Sequence, residues 1–233
     1  MKWHCRAGRP GGFPGGMRIN EGGLVTGHIR APGGPVSVDG FRAAADHVVA
    51  LAAAVAPEKW DAPALGQWSV RSLVGHIGRA LTTVVDYLAR PAIEQTVPST
   101  ADYYLLAAEF IDPEAVRRRS EQAGAELGED PVATLAQMRD RALHALAHTD
   151  DRIVTTPVGG MLLSHYLPTR TFELAVHGLD LARATGRPES VPVEALWEAV
   201  SLATELAVRR GHGETVLFAL TGRGIVPSDF SVV

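Results

Sequence analysis

Cysteine and lysine are nearly missing from this chain of 233 residues: Cys5 is the one cysteine, and Lys2 and Lys59 are the only lysines. A single thiol excludes an internal disulfide framework and any Cys-x-x-Cys zinc signature, a usage expected of a reducing compartment. A metal, if bound, is left to histidine, aspartate and glutamate. A basic excess is missing too. Lys and Arg total 22 against 26 Asp and Glu, the net charge is -4 and the pI is near 6.1. The longest basic run, Arg117-Arg118-Arg119, reads as a solvated helix face, so nucleic acid is not an expected partner. No apolar run is long enough to span a bilayer, and the N-terminus lacks the continuous apolar segment of a secretory signal; a cytoplasmic protein without a membrane partner is expected. What is present is a hydrophobic fraction of 46%, enough for one sizeable core, or one core with a small appendage.

Glycine and proline are concentrated at the start. Residues 1–36, with GRPGGFPGG and APGGP, show neither helical nor strand periodicity and are expected to form a disordered extension. Their glycines make no phosphate loop, because no Gly-Lys-Ser/Thr follows. From Ser37 onward helical signals dominate. Ser37 or Asp39 can cap a helix running to about Val55. Ser69 is a clear N-cap for the next, with Trp68 and Leu73 placed as a hydrophobic staple and Pro91 beyond its end. Weaker signals lie in TADYYLLAAEF and PEAVRRRSEQAG, and a firmer one begins at Asp130-Pro131. DDRIVTTPVGG reads as loop with a short extended piece. Another helix starts between Ser164 and Pro168 and stops at Gly186. A last one runs from about Pro192 to Arg210, followed by ETVLFALTG, read as a strand. The expected fold class is therefore all-α: an up-and-down helix bundle over 37–188 and a small C-terminal helix-plus-strand segment over 189–233.

One helix carries an unusual line of side chains. FELAVHGLDLA, Phe172 to Ala182, is mostly apolar, yet Glu173, His177 and Asp180 fall along one side of it. Four residues advance a helix by about 400°, so Glu173 and His177 face the same way, one turn apart. Two readings fit. In one, the line is the solvated edge of an amphipathic helix, with Arg170 and Glu173 paired at i,i+3. In the other it is part of a metal site that needs a third ligand from another helix. His76 sits mid-helix on the stripe of Leu73, Ala80 and Val84 and points inward. Alone, such a histidine is more often a hydrogen-bonded core residue. Beside Glu173 and His177 it gains weight, since a buried carboxylate without a partner costs several kcal/mol and a divalent cation removes that cost. His144 and His148 form a rival pair one turn apart, but they end a helix and read as side chains that favour its C-terminal dipole. His4, His28, His47, His165 and His212 have no partner at ligand spacing.

At these residues a family resemblance emerges. GQWSVRSLVGHI resembles the Trp-(Ser/Thr)-Val-Arg-x-Leu-x-x-His element of the mycothiol-dependent maleylpyruvate isomerase family of DinB-like metalloenzymes. RTFELAVHGLDLARATG resembles its Arg-x-x-Glu-x-x-x-His-x-x-Asp-Leu-Ala element, in the family's order and separation. The resemblance implies a DinB-like four-helix bundle in which His76, Glu173 and His177 bind a divalent metal, usually zinc. Asp180 and Arg170 become the residues expected to orient the ligands. Through ALTGR the tail is loosely similar to the family's C-terminal part, which makes Arg223 the expected counterpart of an active-site arginine. The implied thiol cosubstrate is mycothiol, and the implied reaction is isomerisation or S-transfer on a small electrophilic substrate. The abundance of Arg, Ala, Gly and Pro over lysine is what high-GC codon usage produces and fits an actinobacterial source. Two other classes remain open on the sequence: a metal-binding regulatory bundle without turnover, and a thiol-independent metal hydrolase. Monomer and homodimer are equally open.

The extension generates its own test. Deleting residues 1–36 is expected to leave the melting temperature and metal content nearly unchanged, because those residues lack the apolar periodicity needed for burial. A drop of many degrees in a thermal scan would show that they pack on the bundle.

Overall fold

The computed structural model describes residues 37–110 and 112–233, so the expectation for residues 1–36 falls outside the described part. The first helix, α1 (Asp39–Ala53), begins after Val38 without a side-chain cap. Neither Ser37 nor Asp39 is the capping residue; Asp39 instead occupies the first helical position, where its charge favours the N-terminal dipole. Helix α2 (Val70–Leu88) starts as its sequence dictates, with Ser69 Oγ accepting from the Ser72 N–H at 3.2 Å. Helices α3 (Thr100–Ala107), α4 (Pro113–Glu126) and α5 (Pro131–Ala147) follow, capped by Ser99, Asp112 and Asp130. Proline opens both α4 and α5, at the position where its missing N–H costs nothing.

The extended piece becomes an antiparallel hairpin, β1 (Ile153–Thr156) and β2 (Gly159–Leu162), in which Thr156 faces Gly159 across Pro157 and Val158. β2 runs straight into α6 (Leu163–Thr185), whose first turn is held by Asp151 Oδ1 accepting from Ser164 N at 2.9 Å. Pro168 lies inside α6, one turn after Ser164, whose carbonyl therefore receives no N–H from it. Gly186, at φ 69°, closes the helix in the left-handed conformation that glycine adopts without strain.

Helices α1, α6, α2 and α5 pack in that order as a closed ring of four, each against its two neighbours. The interior is filled by Phe41 and Val48 from α1, Leu73, Ile77 and Leu81 from α2, Leu135 from α5, and Leu167, Leu174 and Leu181 from α6, none more than 1% exposed. Burying each such side chain contributes about 1.5–3 kcal/mol. Helix α7 (Val193–Arg209) lies over α6 and α1, and α8 (Gly213–Leu220) packs on α7.

The C-terminal strand is a correction: ETVLFALTG folds mainly as α8. Its β-branched and aromatic residues favour a pleated surface, but among the described residues no strand lies beside it. A lone strand leaves its N–H and C=O groups unpaired, whereas a helix satisfies them internally.

Outside the ring, α4 crosses α2 at a glycine on each helix. A Cβ on Gly75 would fall 2.2 Å from the Gly124 nitrogen, and one on Gly124 would fall 2.9 Å from the Arg71 carbonyl oxygen. Backbone cannot yield as a side-chain tip can. We expect Gly75→Ala to destabilise the protein by about 1–3 kcal/mol in urea unfolding, while Gly178→Ala, whose Cβ would meet Val48 at an ordinary 3.4 Å, stays near neutral. Equal stability of the two variants would show that the crossing is not tight.

Candidate metal centre

The α2–α4 crossing brings Ser120 of α4 against His76 of α2. His76 Nδ1 lies 3.0 Å from Ser120 Oγ, and that hydroxyl, fully buried, already donates its proton to the Val116 carbonyl at 2.8 Å. Ser120 must therefore accept from Nδ1–H, leaving the lone pair of His76 on Nε2. On α6, His177 Nδ1 lies 3.0 Å from Asp180 Oδ2, so its proton faces a carboxylate and its Nε2 faces the other way. Both Nε2 atoms point at Glu173 Oε2, at 3.8 Å from His76 and 3.4 Å from His177. The other oxygen, Oε1, accepts from the Tyr104 hydroxyl of α3 at 2.8 Å.

Three donor atoms, one from each of His76, Glu173 and His177, thus lie within 4.8 Å of one another, and this is the one such group among the described residues. A tetrahedral zinc with bonds of about 2.0–2.1 Å sets its donors about 3.3 Å apart, close to the Glu173 separations. Two imidazole nitrogens with fixed tautomers and a carboxylate oxygen make a donor set that fits a divalent cation. Trp68 packs over both imidazoles, its ring centre 4.7 Å from that of His76 and 6.2 Å from that of His177. On another side of the centre, His76 and Glu173 border a cavity of about 490 Å³, whose lining also includes Arg79, Tyr103, Arg119 and Arg170.

The same contacts set the charges of the cluster. Burial opposes ionisation of Glu173, but the bonds to His177 and His76 and the nearby Arg170 outweigh it and hold the carboxyl well below its ordinary range. Burial also lowers His76, which is therefore a neutral donor at pH 7. For His177 burial acts in the same direction, yet Asp180 and Glu173 more than offset it and push the pKa up to about 9. Burial, reinforced by the neighbouring Glu173, raises the Tyr104 phenol well above its usual value, keeping it a donor.

Residues 41–182 match the family model described as the mycothiol maleylpyruvate isomerase N-terminal domain. The chain belongs to this family. No curated protein and no solved structure matches it.

In this family member the matched region runs from α1 to α6 and contains His76, Glu173 and His177, and no helix of the described residues is long and apolar enough to cross a membrane. Of the two residues expected to orient the ligands, Asp180 contacts His177 Nδ1, while the Arg170 guanidinium lies over the Tyr103 and Tyr166 rings and its Nε donates to Thr169 Oγ1. Arg223 follows α8, is exposed, donates from Nη1 to the Thr221 carbonyl, and is not among the residues lining the cavity. His144 and His148 pack ring against ring at 5.0 Å without joining a three-residue ligand group. Of the basic run, Arg117 and Arg118 pair with Glu114 as a solvated face should, but Arg119 borders the cavity. Sequence reasoning missed Ser120 and Tyr104. The available signal for Ser120 was Gly124 one turn on, which together make a narrow side on a helix that otherwise reads as polar.

The pH dependence follows. In the metal-free protein at pH 7, His177 holds a proton that a cation must displace, so metal affinity is expected to rise about tenfold per pH unit and to flatten above about 9. For the metal-free fold the sign is opposite. His177 is raised from 6.5, so its contribution to stability is fully present below 6.5 and is lost as pH rises through about 9. Metal titrations across this range check the first statement, and affinity independent of pH would contradict it. Removing an orienting partner, by Ser120→Ala or Asp180→Asn, is expected to weaken metal binding by roughly 10–100-fold.

Proposed function

We propose that the chain is a metal-dependent enzyme that uses mycothiol to isomerise, or to transfer sulfur to, a small electrophilic substrate, with zinc on His76, Glu173 and His177. The observation that carries this reading is the placement of the family's two motif elements: they supply three converging donors whose His76–Glu173 side borders a cavity. Three protein ligands leave a coordination position open, the pattern of catalytic rather than structural zinc. A divalent cation held there supplies Lewis-acid activation, lowering the pKa of a thiol so that the thiolate nucleophile is present at neutral pH.

The chain's own residues supply the rest. Ser120 and Asp180 fix the two imidazoles with Nε2 toward Glu173. Tyr104 occupies Oε1 of Glu173, leaving Oε2 to face the histidines. Trp68 covers both rings and limits water on its side. The cavity, at about 490 Å³, has room for the thiol-bearing arm of one reactant beside a small second one. Within it the thiolate sulfur adds to one carbon of an activated double bond, whose π pair moves onto the activating group. Protonation of that adduct completes transfer, whereas rotation about the resulting single bond and return of the pair with expulsion of the thiolate completes isomerisation.

Two measurements test the reading. His177→Ala is expected to lose most of its metal and all thiol-dependent turnover, and stoichiometric metal in that variant would remove the site. Titrating the zinc-loaded chain with mycothiol by calorimetry, in buffers of different ionisation enthalpy, should show proton release. Absence of that signal, with hydrolysis of an ester that needs no thiol, would replace the proposal with a metal hydrolase.

A further inference from the structure

We propose that α7 and α8 form the interface of a two-fold homodimer in which Trp197 of each copy fills a groove on the other. Helix α7 is apolar on two opposite sides. One side, with Ala195, Ala199, Leu202 and Leu206, is buried against the bundle. The other carries Val193, Trp197, Val200 and Val208, 49–70% exposed and in one stripe at helical spacing. A helix apolar all round is normally a buried one. Helix α8 shows the same imbalance. Its residues GETVLFAL are mostly apolar, yet none is buried, and a helix this short is marginal in water without packing. Leu217 and Leu220 of α8, 58% and 73% exposed, join Thr204 and Val208 of α7 in lining a mainly apolar groove of about 480 Å³.

The extent of this face matches a second copy. At the exposures given, the stripe and the two leucines present roughly 700 Å² of surface, more than the roughly 300–600 Å² of the largest apolar patch on a typical monomer and close to the about 800 Å² that each partner brings to a standard interface. Its shape is self-complementary, as a two-fold interface requires. Trp197, 70% exposed, is a projection of the residue type that anchors interfaces, and the groove at Thr204 and Val208 lies two to three turns further along the same helix, roughly 10–17 Å away. When two copies of α7 run antiparallel about an axis at the level of Ser201 and Leu202, Trp197 of each lies opposite the groove of the other, and both contacts form at once. The same arrangement sets Glu194, at the N-terminal end of one α7, level with Arg209 and Arg210 at the C-terminal end of the other, so charge complements shape. A membrane surface fits the face less well, because Glu194, Glu205 and Glu214 border it and are repelled by anionic headgroups.

Sedimentation of the purified full chain along a dilution series tests the dimer and needs neither metal nor thiol. The wild type is expected to sediment at twice the 24.8 kDa of one chain and to dissociate on dilution. Trp197→Glu on the projection and Leu220→Glu on the groove should each raise the dissociation constant by roughly a hundredfold, since a two-fold interface counts every substitution twice. Both side chains are exposed, so helical circular dichroism should not change. Ile93→Glu, at an exposed apolar residue in the segment after α2, should leave the dimer intact. Should Trp197→Glu lose its helical signal, Val208→Glu takes its place beside Leu220→Glu. A monomeric mass at every concentration overturns the proposal, as does a dimer that the α7 and α8 variants leave intact or that Ile93→Glu dissociates. A dimer that forms only after residues 1–36 are deleted overturns it by assigning the face to the chain's own N-terminal segment. Wild-type binding to phosphatidylcholine vesicles that Trp197→Glu abolishes overturns it in favour of lipid.

Discussion

A buried negative charge, the Glu173 carboxylate, is the constraint around which the structure is arranged. A carboxylate removed from water costs several kcal/mol unless it is met by hydrogen bonds or opposite charge. Every neighbour of Glu173 answers that demand: Tyr104 bonds one oxygen, the two imidazoles converge on the other, and Arg170 adds a positive field. Asp180, one turn beyond His177, keeps that imidazole protonated while no cation is bound, so the metal-free cluster is already charge-compensated.

That compensation depends on helix packing at short range. His76 reaches Glu173 with the correct nitrogen because Ser120 holds its far side, and Ser120 is within reach because Gly75 and Gly124 let two backbones almost touch. The ring of α1, α6, α2 and α5 supplies rigidity, while α3 and α4, packed outside it, supply the residues that decide tautomer and carboxylate orientation. The scaffold and the tuning of the site therefore sit on different elements. The cavity lies where these elements meet the β-hairpin, whose Pro157 and Val158 form part of its wall.

Helix α7 belongs to this arrangement even though it follows the residues matched by the family. Its Leu202 and Leu206 share an apolar cluster with Tyr104 and Phe172, the residue before Glu173. Arg209 of α7 also binds Asp102 of α3 at 2.5 Å. The C-terminal segment thus braces the helix that delivers Tyr104, an indirect contribution to the centre that is separate from the expected role of Arg223.

The sequence by itself determined most of the helices and singled out the three side chains whose donor atoms converge. Caps such as Ser69 and Asp130, the terminal Gly186, and the i,i+4 spacing of Glu173 and His177 are local, and local signals need only the periodicity of one element to be read. His76 was legible because a histidine on an apolar stripe is anomalous. Tertiary structure decided the rest. Ser120, Tyr104 and Arg119 lie on helices of weak amphipathic signal, and their roles arise from contacts across 44 residues for Ser120 and His76 and 69 for Tyr104 and Glu173. The fate of ETVLFALTG was also decided there, since a strand requires a neighbour and β-propensity in one segment cannot provide it. Hydrogen bonding along a helix is set by neighbours in the chain, whereas the environment of a buried charge is set by which surfaces the folded chain brings against it.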